Sequence, residues 1–272
     1  MKQLFTILLL FFSFVIYSQE YNFTDSEIKV KLDSIKKEGN LLYSLENASW
    51  HSTDIARENK KINNLVGQYL TYKTKSDTVK TVFLDKLGSK VLVEYSFINN
   101  SKKPSKQNLS IRNLTTDEIE LKNVREKIIS QLSDPKYEVG VPENFSLNLI
   151  TIPFADKYKT YIITGATESG VIPFGNDYLF ITDKNGQIID NKKFHSRLIP
   201  TYSSSQNMGE VTMSTHSHLK TNPFISATDI CTFKLYAPFT KLEKFSVYSP
   251  ALKTYFEYNT KKDTLEKVKS PL

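Results

Sequence analysis

The spacing of apolar residues alternates between a helical period and a period of two along the chain. From 24 to about 60 it is helical. Ile28, Leu32 and Ile35 recur three or four apart behind Thr24-x-x-Glu27, a capping box. Gly39 reads as the end of that helix or a kink in it. A second helical pattern follows through Leu41, Leu42, Leu45, Ala48 and Ile55, with Trp50 expected as a core anchor and His51 as a structural neighbour. From 66 to 99 the period falls to two, and residues 69–72, 79–84 and 91–98 read as strands rich in β-branched and aromatic side chains. Helical spacing returns over 115–133, where Thr115-x-x-Glu118 supplies the cap and Asp134-Pro135 the stop.

The second half predicts mostly strands, at 146–153, 159–164, 178–182, 187–194 and 211–218. Asp183-Lys184-Asn185-Gly186 predicts a hairpin turn. Ser226 opens a helix to about Tyr236, and 244–248 with 254–258 form a closing hairpin. The expected fold class is therefore α+β. An N-terminal region of helices and a small sheet (19–140) precedes a β-rich region (141–272), as one large domain or two small ones.

The first residues bear on compartment. Met1-Lys2-Gln3 is positively charged, 4–17 is almost wholly apolar, and Ser18 precedes the polar Gln19-Glu20. This predicts a secretory signal peptide over 1–18, with no transmembrane segment left after cleavage. No cysteine ends the apolar stretch, which argues against a lipoprotein. The lysine-, tyrosine- and asparagine-rich composition and the Ser-Gln-Glu junction resemble secreted proteins of Bacteroidetes-type bacteria, in the periplasm or beyond. Cys231 is the single cysteine, so no internal disulfide is expected. Its thiol reads as a small buried apolar group. The formal charge is +7, but the lysines are scattered and no aromatic-basic platform accompanies them. A solvated basic surface is expected, with no nucleic-acid partner.

The candidate chemistry lies in one run, His216-Ser217-His218, seven residues, then Ser226-x-x-Asp229. On a strand, i and i+2 point to one face, so both imidazoles aim at one point. A carboxylate from the next element would complete a three-ligand zinc site with an open fourth position, as in catalytic zinc. The run resembles the JAMM motif, H-x-H-x7-S-x-x-D, of the JAB/MPN metallopeptidase family. The resemblance spans about 160–260 and is close only in the motif. It implies zinc held by His216, His218 and Asp229, with Ser226 helping to position groups around the water. It also implies a general base, for which Glu168 has the family-like spacing to Gly170 and Gly175, with Glu210 as the other candidate. The implied activity is a zinc-dependent cleavage of peptide or isopeptide bonds, with a peptide or protein as substrate.

The same residues carry a plainer reading. Ser226-x-x-Asp229 is itself a capping box, and the two histidines could form the polar face of an edge strand. On that reading the chain is a non-enzymatic secreted or periplasmic binding or structural protein. His195 also has two readings: a partly buried histidine at a strand end, which is the plainer one, or a third nitrogen ligand of the same site.

Overall fold

The computed structural model describes residues 21–205 and 209–271. The expected signal peptide, 1–18, lies outside them. The elements in chain order are α1 (Asp25–Glu58), α2 (Lys60–Asn63), β1 (Val66–Lys73), β2 (Val79–Asp85), β3 (Lys90–Phe97), β4 (Lys106–Asn108), β5 (Arg112–Asn113) and α3 (Thr116–Gln131). Next come β6 (Phe145–Phe154), β7 (Lys157–Ala166), β8 (Val171–Gly175), β9 (Tyr178–Thr182), β10 (Ile188–Lys193) and β11 (Leu198–Tyr202). The chain continues with β12 (Ser204–Ser205), β13 (Gly209–Glu210), β14 (Met213–Ser217), α4 (Ala227–Tyr236), β15 (Lys244–Ser249), β16 (Thr254–Asn259) and β17 (Thr264–Val268). The fold is α+β, as the periodicity predicts.

Capping boxes open three of the helices. Thr24, Thr115 and Ser226 each accept from the backbone N–H three residues on, and Glu27, Glu118 and Asp229 each reach back to the cap's N–H. The antiparallel sheet β1–β2–β3–β4, with β5 also on β3, is covered on both faces. Phe83, Val93 and Tyr95 point to the main core with α1, while Val82, Leu84 and Val91 meet Leu121, Val124 and Ile128 of α3. Burial on both faces is why Val82, Phe83 and Leu84 are buried in succession along β2 rather than alternately.

Gly39 neither ends nor kinks a helix: α1 runs unbroken from Asp25 to Glu58. A Cβ at Gly39 would lie 2.8 Å from Ile230 Cβ and 3.0 Å from the Ala227 carbonyl, so this glycine is where α4 crosses α1. Pro173 sits inside β8. It pairs opposite Pro200 of β11 in a two-stranded ribbon, where neither proline is asked to donate to the other. The strands β11 and β17 carry no strong sequence signal.

The boundary near 140 divides the chain but not the core. Leu42, Leu45 and Ala48 of α1 share one buried cluster with Ile230 and Phe233 of α4, Phe174 of β8 and Phe245 of β15. Trp50 is only partly buried, against Tyr236 and Phe239 at ring separations of 5.5 and 5.9 Å. Cys231 is fully buried and free. Among the described residues, no helix is long and apolar enough to cross a membrane.

The last sheet, β14–β15–β16–β17, prepares the site. Its strands are antiparallel except β14 and β15, which are parallel and joined through α4. That crossover brings the first turn of α4 back to the C-terminal end of β14. In α/β units this is the end where ligands bind, because strand termini and helix N-termini converge there.

Candidate metal centre

Alternation along β14 builds half of the site. Ser214, His216 and His218 are buried while Thr215 and Ser217 are exposed, the period-two pattern of a half-covered strand. His216 lies opposite Val247 of β15, and the His218 N–H donates to the Tyr248 carbonyl at 3.0 Å, which extends the ladder past the strand end. The His216 ring is walled by Phe174 at 4.9 Å and Phe245 at 6.0 Å between centroids.

The first turn of α4 supplies the carboxylate. Asp229 Oδ2 accepts from the Ser226 N–H at 2.9 Å and the Ser226 hydroxyl at 2.7 Å. Ser226 Oγ in turn accepts from the Asp229 N–H at 3.0 Å. The capping reading of Ser226-x-x-Asp229 is therefore correct, yet it uses only one of the two carboxylate oxygens. Oδ1 has no hydrogen-bond partner; it stands 3.4 Å from His216 Nε2 and 3.5 Å from His195 Nε2. His218 Nε2 is 3.0 Å from Oδ2 without the alignment of a hydrogen bond.

His195 joins this cluster, against the plainer reading of it. It follows β10 in a segment fixed from two sides. The Phe194 N–H donates to the Asp177 carbonyl, and Asn222 Nδ2 donates to the carbonyls of Lys193 and Phe194. Gly175 admits the segment: its φ is +77°, and a Cβ there would sit 2.3 Å from the Arg197 carbonyl oxygen. His195 Nδ1 lies 2.7 Å from Asp177 Oδ1, so Nε2 faces the cluster. Asp177 Oδ2 is held by the hydroxyl of Thr228 on α4.

His195, His216, His218 and Asp229 thus present four donor atoms within 4.8 Å of one another, a group that could hold a metal ion. Their side chains are between 0% and 4% exposed. An orphaned buried polar atom costs about 1–3 kcal/mol. Six of the nine such side-chain atoms among the described residues lie in this one cluster, including every Nε2 and Asp229 Oδ1. A cation at their centre would satisfy four of those six atoms at once. The spacing fits. Ligands about 2.0–2.1 Å from a tetrahedral ion stand about 3.3 Å apart, and Asp229 Oδ1 lies 3.4–3.5 Å from the Nε2 atoms of His216 and His195.

The electrostatics also ask for positive charge. Burial disfavours an imidazolium at His195, but the Asp177 and Asp229 carboxylates outweigh it and push its pKa up to about 9. Burial holds His216 below the usual histidine range, against the pull of Asp229. Burial disfavours the charged form of Asp229, but the surrounding imidazoles, His195 first, hold its carboxyl well below the usual carboxylate range.

The other expected site residues fall differently. Ser226 is buried in its cap, its hydroxyl within 2.7 Å of Asp229 Oδ2 and of Thr228 Oγ1. Glu168 is exposed in the turn after β7, with no hydrogen bond or ion pair among the described residues. It lies beyond the Val171 end of β8, whereas the cluster gathers beside Gly175 at the other end, and a strand of that length spans roughly 13 Å. Sequence reasoning missed Asp177, which sits between β8 and β9 outside any motif. No family model matches the chain, and no curated protein or solved structure was found to match it.

Proposed function

We propose that this is a secreted metal-binding protein in which His195, His216, His218 and Asp229 enclose one divalent ion, zinc by the character of the donors. Three neutral imidazoles and one carboxylate suit zinc among the first-row metals. One observation carries the reading: three Nε2 atoms and Asp229 Oδ1 converge in a sealed place without partners of their own. The ion acts as a structural staple. It joins the segment after β10, the end of β14 and the start of α4, three stretches that no disulfide links. The apolar leader supports export to the periplasm or beyond.

The JAB/MPN-like peptidase is the second reading, favoured by the motif spacing that brings His216, His218 and Asp229 together. It needs a coordination position open to water, a base within about 2.6–3.2 Å of that water and a route for a peptide. His195 stands where the water would bind, Glu168 is exposed beyond the far end of β8, and the four side chains are 0–4% exposed. These features favour the binding role over hydrolysis.

Elemental analysis of untagged protein should find close to one zinc per chain. His216→Ala/His218→Ala should abolish it. Zinc retained at full stoichiometry by the double variant would overturn the site.

A further inference from the structure

Two carboxylates meet the histidine cluster, and they do different things. Asp229 turns an oxygen without a hydrogen-bond partner toward the rings. Asp177 does not reach the donor atoms; it takes His195 from behind. Its Oδ1 is 2.7 Å from His195 Nδ1, and its Oδ2 is bound by the Thr228 hydroxyl. The Asp177 side chain is 4% exposed and its backbone carbonyl accepts from Phe194, so the residue anchors both the backbone before His195 and the ring itself. Thr228 precedes Asp229 by one residue, and its hydroxyl is 2.7 Å from that of the cap residue Ser226. A single turn of α4 thus orients the ligand Asp229 directly and the ligand His195 through Asp177.

We propose that Asp177, held by Thr228, is the positioning residue that makes His195 a ligand, so that four protein donors close the coordination sphere. The inference rests on the metal reading above and deepens it. The reasoning is geometric. A neutral imidazole has one N–H and one lone pair, and the nitrogen that faces an acceptor-only carboxylate carries the hydrogen. Asp177 therefore fixes the hydrogen on Nδ1 and leaves the Nε2 lone pair facing His216, His218 and Asp229. A carboxylate behind a ligating histidine also raises the ring's basicity and holds its angle. Without Asp177, His195 sits on a connection between strands with both its tautomer and its tilt free. The site would then fall back to two histidines and an aspartate, with two or more waters completing a five- or six-coordinate sphere.

Cobalt(II) reads this directly, since a four-coordinate ion absorbs visible light strongly and a five- or six-coordinate ion weakly. The wild-type protein, stripped and reloaded with one equivalent of cobalt(II), should show the strong tetrahedral bands. Asp177→Asn and Thr228→Val should lower metal affinity by about 10- to 100-fold in chelator competition and weaken those bands, with the far-ultraviolet circular dichroism of the metal-free proteins unchanged. His195→Ala should still take up cobalt, with the spectrum of an ion bound to water. The two levels of inference fail separately. A wild-type protein that takes up no cobalt overturns the metal centre itself. Wild-type affinity and bands in both Asp177→Asn and Thr228→Val, in a protein that does bind cobalt, overturn the positioning role alone. Variants that only melt earlier, with bands and affinity intact, overturn it too.

Discussion

The capping boxes at Thr115–Glu118 and Ser226–Asp229 are the same local device in two surroundings. In both, a hydroxyl caps the helix, and the acidic residue three positions on returns one oxygen to the cap's N–H. Both acids are 1% exposed. They differ in what meets the rest of the carboxylate. Glu118 is fully satisfied. Arg112 binds it through two nitrogens at 2.7 Å, and the Tyr72 hydroxyl donates to Oε1 at 2.7 Å. At Asp229, Oδ1 meets only imidazole nitrogens that do not hydrogen-bond to it. One buried acid has every oxygen bound by hydrogen-bond donors of the chain; the other keeps one oxygen without a hydrogen-bond donor, in a group that could hold a metal ion. The cap explains why an acid stands at each position, and the second oxygen separates a fully hydrogen-bonded residue from one that could bind a metal ion.

The largest expected effect breaks that difference at its source. Asp229→Ala removes the cap oxygen, worth about 1 kcal/mol, and leaves three buried imidazoles without their carboxylate, which on the scale of a broken buried charge pair costs about 3–5 kcal/mol in total. Denaturant unfolding at pH 7 measures it. Adding a chelator should destabilise the wild-type protein and leave Asp229→Ala unchanged. A loss of only the cap's worth, with the chelator response intact, would make Asp229 equivalent to Glu118.

Glu118→Gln is the matching change at the satisfied box. Burial disfavours the charged form of Glu118, but Arg112, the Thr115 N–H and Tyr72 together hold its folded pKa down to about 2, from an ordinary value of 4.5. A depressed carboxylate stabilises the fold above its unfolded pKa and loses that contribution as pH falls through the folded value. The difference between wild type and variant should therefore be full above pH 4.5, on the order of 3 kcal/mol, and should vanish as pH falls toward 2. Chelator should not change it. A pH-independent difference would mean that the charge of Glu118 is not what the Arg112 cluster needs.

The legible part of the molecule was the part written locally. The two histidines share one strand, and Ser226 and Asp229 share one helical turn, so covalent spacing alone brings each pair together, and H-x-H-x7-S-x-x-D reveals them. The α+β class was legible for the same reason, since period two and period 3.6 are local properties. His195 and Asp177 reach the site through β8, β9 and β10, and strand register is set by pairing that no local pattern states. The scarcity of histidine was the available hint: the chain has four, and three of them meet here. Gly39 was misread because a helix end and a close helix crossing ask for the same residue; only the position of Ile230 tells them apart. The shared core across residue 140 was invisible because α1 and α4 lie almost two hundred residues apart.

The smallest effect tests whether the cap itself is neutral in this comparison. Thr24–Glu27 is the third box, exposed to solvent, and both of its side chains are spent on the helix start. The Thr24 N–H and hydroxyl each donate to Glu27 Oε2 at 2.8 Å, and the Glu27 N–H donates to Thr24 Oγ1 at 3.3 Å. No buried charge and no orphaned atom depend on it. Thr24→Ala should therefore cost about 1 kcal/mol, the same with or without chelator. Amide exchange should quicken only in the first turn of α1, because a lost cap frees the end of a helix and not its packed middle. Residues 42–48, buried against α4, should keep their protection. If Thr24→Ala instead lowered metal affinity, the start of α1 would be coupled to α4 through the Gly39 crossing. The three boxes would then no longer differ only in what meets the second oxygen.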